Sequence, residues 1–326
     1  MSKILFIGDP HIRHSHLKDG VELLQWVESV AEAEKPDLVV NLGDTFDDHS
    51  VIRAEVLSIV NDHLMRLQAA KFPVIMVLGN HDMWKPNSNK YHALEVFKGR
   101  KDLVVVDKTA TINGVTYVPY LPDPADWPKD AKTDIYVTHN TFIGADYGPS
   151  CAKDGVDTAQ VEADLVVSGH IHKRQLLKEG LIVYPGTPSS LTASDANQVK
   201  GLMILDSDTL EMRFIDSPFP MWRTLEIDLS SSNNLELNEK DRWIVKLIGP
   251  RAEVNSFLQS KYILDLKKRV QVSFKAEFTD AVKASRTQIS APTVYSMAEQ
   301  YIDRVYSGAM DKVSLKETVK KYTEQQ

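Results

Sequence analysis

Five short apolar runs, each ending in a cluster of polar residues able to do chemistry, constrain this chain more than any other feature. Ile4–Ile7 leads into Asp9-Pro10-His11, Leu38–Leu42 into Gly43-Asp44, and Val74–Leu78 into Gly79-Asn80-His81-Asp82. Ile135–Val137 leads into Thr138-His139-Asn140, and Leu165–Val167 into Gly169-His170-Ile171-His172. Runs of this length and β-branched character read as strands buried on both faces, the pattern of a parallel sheet. Ligands gather beyond the carboxyl ends of such strands. The series therefore brings three acids, two amides and five of the chain's ten histidines to one rim.

Between the runs the apolar period changes. Val21, Leu24, Val27 and Ala31 recur at helical spacing, as do Ile52, Val56, Ile59, Val60, Leu64 and Leu67. Later come short strands with turn punctuation. Leu103–Val106 is followed by Thr109–Ile112, an Asn113-Gly114 turn and Val115–Pro119, and Gly201–Leu205 pairs with Glu211–Ile215 as a second hairpin. Parallel βαβ units followed by antiparallel ribbons predict an α/β fold of two sheets packed face to face, with helices outside, over residues 1–217. Ser217-Pro218-Phe219-Pro220 then breaks the pattern.

A smaller α/β unit is expected over 221–280. Trp222–Leu229, Trp243–Ile248 and Arg269–Phe274 read as its strands, and Ala252–Leu258 as a short helix. Asp280–Ser290 reads as a linker to a helical pair over 285–326. One helix carries the stripe Val294, Met297, Ala298, Tyr301, Ile302 and Val305; the other starts at a capping box of Ser314 and Glu317, ahead of Leu315, Val319 and Tyr322. No apolar stretch approaches the roughly 20 residues of a membrane span, and Met1-Ser2-Lys3 leads straight into a strand with no signal-peptide pattern. The single cysteine, Cys151, excludes an intrachain disulfide and reads as a packing residue. A cytoplasmic protein without a membrane is the expectation. A formal net charge of −7 argues against a chain that grips nucleic acid unaided.

The motif chemistry is that of a two-metal hydrolase. Asp9 with His11, and His170 with His172, have the i, i+2 spacing that turns two side chains to one face of a strand end. Asp44 has lone pairs for two cations, and Asn80 offers a neutral carbonyl oxygen. Two ions roughly 3.5–4 Å apart activate water and stabilise the entering and leaving oxygens at phosphorus. His81 adjoins Asn80 but faces differently, which suits a proton donor to the leaving oxygen, with Asp82 holding its imidazole. The absence of thiolates favours Mn²⁺, with Mg²⁺ as the alternative, over structural zinc. Any one of these histidines alone would be an ordinary surface or core residue; their order and company make the case. His14 and His16 are expected on a solvated loop, His63 in a structural helix position, and His49 and His92 outside the site.

The motif set resembles the calcineurin-like metallophosphoesterases, whose pattern is D-x-H, G-D, G-N-H-D, H and G-H-x-H. The resemblance implies a four-layer α-β-β-α sandwich. It also implies one metal held by Asp9, His11, Asp44 and His172, a second held by Asp44, Asn80, His139 and His170, and His81 as the catalytic histidine. Within that superfamily the chain is most similar to SbcD-type DNA-repair nucleases of bacteria and phages. The features are Gly43-Asp44-Thr45-Phe46-Asp47, the loop Tyr184-Pro185-Gly186-Thr187-Pro188-Ser189-Ser190-Leu191, and the later Lys200-Gly201-Leu202. That likeness implies a small capping domain that positions DNA, and a terminal helical segment that docks on the coiled-coil base of an SbcC-type ATPase. Some relatives carry a histidine where Asp47 stands, so that histidine's role in directing DNA ends does not transfer.

Three functions compete on this basis. They are a DNA exonuclease or endonuclease subunit of a recombination and repair complex, a phosphodiesterase for a small substrate such as a cyclic nucleotide or nucleotide-lipid, and a non-catalytic scaffold. The first accounts for the tail, and the third is weakened because no ligand position has decayed. Expected partners are DNA and the ATPase, with a homodimer left open. Arg13, Lys85, Lys173 and Arg174 flank the motifs and are candidates for guiding a DNA backbone.

Overall fold

The structure is a computed structural model. It describes residues 3–49, 51–85, 88–128, 133–148, 150–231, 235–280, 294–304, 306 and 311–323. The expected linker over 281–290 and Val305 of the tail stripe lie outside the described residues.

The expected strand and helix alternation opens the chain as β1 (Lys3–Ile7), α1 (Leu17–Glu34), β2 (Leu38–Asn41), α2 (Ala54–Ala69) and β3 (Val74–Val77). A small hairpin, β4 (Met83–Lys85) and β5 (Ser88–His92), precedes β6 (Leu103–Val106). Then come β7 (Ala110–Ile112), β8 (Val115–Val118), β9 (Ile135–Thr138), β10 (Leu165–Ser168), β11 (Gln175–Leu177), β12 (Ile182–Tyr184), β13 (Gly201–Asp206) and β14 (Met212–Asp216). They form two six-stranded sheets, ordered β14-β13-β1-β2-β3-β6 and β11-β12-β10-β9-β8-β7. In the first, β1, β2, β3 and β6 run parallel. In the second, β12, β10, β9 and β8 do so. The antiparallel strands lie toward the edges, where hairpins place them.

β2, β3, β9 and β10 are buried at every position, as strands covered on both faces must be. Alternate residues divide between two cores. Phe6, Val40 and Val77 of the first sheet meet Tyr117, Val137 and Val167 of the second between the sheets. Leu5, Val39 and Met76 face the other way, onto Leu24, Val27 and Ala31 of α1 and Val60, Leu64 and Leu67 of α2. The outer face of the second sheet is covered differently from the helical layer that the resemblance implies. Trp127, Phe142, Val156 and Val161 pack there from loops and single 3₁₀ turns, and no α-helix lies in that segment among the described residues. Cys151, expected to pack, is exposed.

Beyond Pro220, β15 (Trp222–Asp228), β16 (Arg242–Gly249), α3 (Arg251–Gln259), α4 (Lys261–Arg269) and β17 (Gln271–Phe278) build an all-parallel three-stranded sheet. It has its own core of Val245, Leu247, Val254, Ile263 and Leu266. Helices cover one face. On the other, Lys246 bridges Glu226 and Glu277 of the flanking strands at 3.2 and 2.8 Å, a solvated ladder that keeps the bare face polar. The last two helices are α5 (Val294–Arg304) and α6 (Lys312–Thr323). They are joined by Lys316 to Asp303 at 2.7 Å. The cap of α6 is Asp311, whose Oδ1 accepts from the Val313 N–H at 2.8 Å, and not the expected Ser314. Among the described residues no helix is long and apolar enough to cross a membrane.

Candidate metal centre

Because the sheets face one another with their parallel strands running out to a common rim, all five motif loops converge there. The loop after β1 supplies Asp9 and His11, that after β2 Asp44, and that after β3 Asn80 and His81; β9 and β10 supply His139, His170 and His172. Close approach of these loops requires glycine at two points. A Cβ on Gly43, which has φ +110°, would lie 2.4 Å from Nδ1 of His139, and one on Gly79 would lie 2.2 Å from the Asp44 nitrogen. The motif residues are themselves held in the left-handed region, with φ of 33° at Asp9, 45° at His11, 47° at Asp44 and 78° at His170. Such strain clusters at functional sites.

The donor atoms form two groups that share Asp44: His11, Asp44 and His81, then Asp44, His139 and His170. On one side, Nε2 of His11 lies 3.1 Å from Nε2 of His172 and 3.7 Å from Oδ2 of Asp44. On the other, Nε2 of His139 lies 3.2 Å from both Oδ2 of Asp44 and Oδ1 of Asn80, and Nδ1 of His170 is 2.7 Å from the same Asn80 oxygen. Asp9 accepts the His170 backbone N–H at 2.7 Å through Oδ1. Its buried Oδ2 has no hydrogen-bond partner. An orphaned carboxylate oxygen, paired imidazole nitrogens turned on one another and a shared acid together fit divalent cations, which would satisfy every one of them.

Within the cluster the charges compensate one another. Burial opposes charge on Asp44, yet the His139 imidazole beside it holds its carboxyl far below the usual carboxylate range. The same contact raises His139 against the effect of its own burial. His170 is pushed down to about 3 by burial and by neighbouring His139, so its ring is neutral, as a ligand must be.

Supporting residues tune this set. Nδ1 of His81 donates to the Asp47 carbonyl oxygen at 2.7 Å, which leaves Nε2 free for proton exchange. Asp82 does not hold that ring, contrary to expectation. Its two oxygens accept backbone N–H groups, from Phe46 at 3.2 Å and Gly79 at 3.1 Å, and so tie the β2 and β3 loops together. Burial and the charge of Asp44 raise the Asp82 carboxyl. Asp47 also turns its carboxylate to Nδ1 of His11 at 3.1 Å. His49, expected outside the site, stacks on His81 with centroids 4.0 Å apart and reaches the Asn80 carbonyl at 3.0 Å. Tyr120 lies against the His139 and His170 rings. Lys200, fully buried, donates to the His172 carbonyl at 2.7 Å and to Asp195 at 3.0 Å, fixing the 170–172 loop from behind.

Other expected residues are dispersed. His63 is structural, 2.7 Å from Glu28. Arg174 pairs with Asp216 at 2.9 Å and lies over the Phe214 ring. Lys173 pairs with Asp146. Arg13 donates to the Leu191 carbonyl at 3.1 Å and lies 3.6 Å from Asp47. Lys85 is exposed.

Residues 2–174 match the calcineurin-like phosphoesterase family. The chain belongs to that family. It is 25% identical to "Putative phosphoesterase 078R" of Invertebrate iridescent virus 3 over 308 residues, 87% of each chain. It is 21% identical to exonuclease subunit 1 of Enterobacteria phage T4 over 329 residues, 93% of each. With an SbcCD nuclease subunit of Staphylococcus epidermidis it shares 24% identity over 240 residues, 60% of this chain and 62% of that one. A hydrolase of phosphoester bonds using divalent metal is therefore the established class.

The corrected role of Asp82 is open to test. Asp82→Ala leaves two buried N–H groups without acceptors, at about 1–3 kcal/mol each. Thermal unfolding should therefore move to markedly lower temperature. An Asp82→Ala protein as stable as the parent but poor in turnover would restore the ring-orienting role.

Proposed function

We propose that this chain is the metal-dependent nuclease subunit of an SbcCD-type complex, cutting DNA phosphodiester bonds with two divalent ions, Mn²⁺ by preference. The observation that carries the reading is Asp44, whose carboxylate belongs to two groups of donor atoms, with His11 and His81 on one side and His139 and His170 on the other. The family pattern and the 3.1 Å approach of His172 to His11 give the first ion His172 and leave His81 to the chemistry. The 93% overlap with a chain named exonuclease subunit 1 supports a polymeric substrate, since a likeness of that extent reaches past the two six-stranded sheets and across the three-stranded unit. The viral relatives named only as phosphoesterases keep a small-substrate diesterase as the second reading.

In this reading Asp9, His11, Asp44 and His172 hold one ion, and Asp44, Asn80, His139 and His170 the other. When bound, the ions supply an activated water and charge neutralisation at phosphorus. The chain's own residues do the rest. His81 exchanges a proton with the leaving oxygen through Nε2, its tautomer set by the Asp47 carbonyl. Asp47 orients His11, and Lys200 with Asp195 braces the loop of His172. The cleft between the rim and the three-stranded unit, lined by His11, Arg13, His16, Ser190 and Arg242, is the proposed path of the backbone. Residues 1–217 are then the nuclease domain, 221–280 the cap, and 285–326 the segment that docks on a coiled-coil ATPase. Tyr301, Val313 and Tyr322 of that segment are exposed, apolar surface for a partner to cover.

Purified protein with Mn²⁺ should degrade single-stranded DNA and lose that activity in chelator. His81→Ala should keep fold and metal while losing about 10²–10⁴-fold in rate. Hydrolysis of cyclic nucleotides with no action on DNA would select the second reading.

Removal of residues 285–326 should abolish binding of the ATPase partner and ATP-stimulated duplex degradation, and spare Mn²⁺-dependent cleavage of single strands. Undiminished co-purification of the shortened chain with the ATPase would contradict the docking role.

A further inference from the structure

The hairpin of β4 and β5 is rooted at both ends in the loop that carries Asn80 and His81. The Met83 N–H reaches the Asn80 carbonyl at 3.3 Å, and the Ala93 N–H reaches the Asp82 carbonyl at 2.7 Å. Its base is buried. Met83 is fully enclosed, and the His92 side chain, 1% exposed, is held by Glu95 at 3.3 Å and Asp107 at 3.4 Å. Beyond that base the character reverses. Trp84 is 49% exposed and Tyr91 59% exposed, with ring centroids 6.3 Å apart and planes at 74°. Tryptophan is among the more buried residues on average, so a half-bare indole beside the catalytic loop calls for an occupant. Each ring also carries a cation. Nζ of Lys85 lies 4.3 Å from the Trp84 centroid, and Nζ of Lys90 lies 5.2 Å from that of Tyr91.

Rings capped by lysines are a poor seat for an apolar protein surface, which would have to desolvate both ammonium groups. They complement a ligand with flat apolar faces along an anionic backbone. In a chain of net charge −7, residues 83–91 carry two lysines and no acid. Building on the nuclease reading above, we propose that the hairpin is a stacking platform for unpaired bases of a DNA strand at the metal centre. Trp84 and Tyr91 take the bases while Lys85 and Lys90 meet the phosphates. Stacking of this kind is indifferent to base identity, because every base presents a π-face. It would hold a frayed strand beside His81 without reading its sequence.

The test compares oligothymidylate with a strand of equal length built only of abasic sites, by fluorescence anisotropy on the full chain in EDTA, where no cleavage competes. Wild type should bind the base-bearing strand about 5- to 150-fold more tightly. Trp84→Ala should erase most of that preference, and Trp84→Phe should retain part of it; circular dichroism verifies folding of both. A Trp84→Ala protein with the full preference, or a wild type with none, overturns the platform. Cleavage of the same oligothymidylate by wild type in Mn²⁺ is followed in parallel. Cleavage without base preference sinks the platform and leaves the nuclease reading standing, whereas neither binding nor cleavage sinks both.

Discussion

The contact between the Asp44 carboxylate and the His139 imidazole joins the two sheets, and the rest of the centre is arranged around it. Asp44 leaves β2 of the first sheet and His139 leaves β9 of the second, and both are buried. A carboxylate in such a place costs several kcal/mol unless it is paired and hydrogen-bonded. Here it is paired with His139 and also accepts the His81 N–H at 2.8 Å. Bringing the loops this close demands Gly43 and Gly79, and places Asp9, His11, Asp44 and His170 at positive φ. Strain of roughly 1–3 kcal/mol at such a residue persists only where the surroundings over-determine it. The inter-sheet core of Phe6, Val40, Val77, Val137 and Val167 is that surrounding. The site therefore depends on the sandwich being rigid, and the sandwich exists because its strands are apolar on both faces.

That dependence explains which parts were legible in the sequence. Strands buried on both faces are nearly unbroken runs of Val, Ile and Leu, so β1, β2, β3, β9 and β10 stand out, and with them the motifs at their ends. Asp47, His49 and Asp82 belong to the centre through loop folding, which leaves no period to read. Asp82 serves backbone N–H groups, and nothing in its neighbours distinguishes that role from orienting His81. The β4–β5 hairpin lacks apolar alternation, since its aromatic residues Trp84 and Tyr91 are exposed alongside Lys85 and Lys90. In α4 only Ile263 and Leu266 are buried amid Lys261, Lys267, Lys268 and Arg269, too sparse a stripe to mark a helix. The layer over the second sheet is irregular because Phe142, Val156 and Val161 pack as single anchors from loops.

The periphery adds reach without disturbing the core. The three-stranded unit has its own hydrophobic centre and meets the two-sheet body through polar contacts, among them those of Asn197 with Trp222 and Thr224. The Trp222 N–H reaches Ser190 Oγ at 3.2 Å, and Arg242 lies 3.5 Å from Asp19. Phe219, in the proline-rich break, packs edge-on to Trp26 of α1 and anchors the connection. Arg13 lies 3.6 Å from Asp47 and donates to the Leu191 carbonyl, so the loop after β1 that carries His11 also lines the cleft toward this unit.

The central claim is that one carboxylate serves two ions. Metal content after equilibration with Mn²⁺, read by mass spectrometry on folded wild type, Asp44→Ala and His11→Ala, tests it most directly. The account predicts two ions per wild-type chain, loss at both sites in Asp44→Ala, and loss mainly of one in His11→Ala. Two ions retained by a folded Asp44→Ala chain would contradict it.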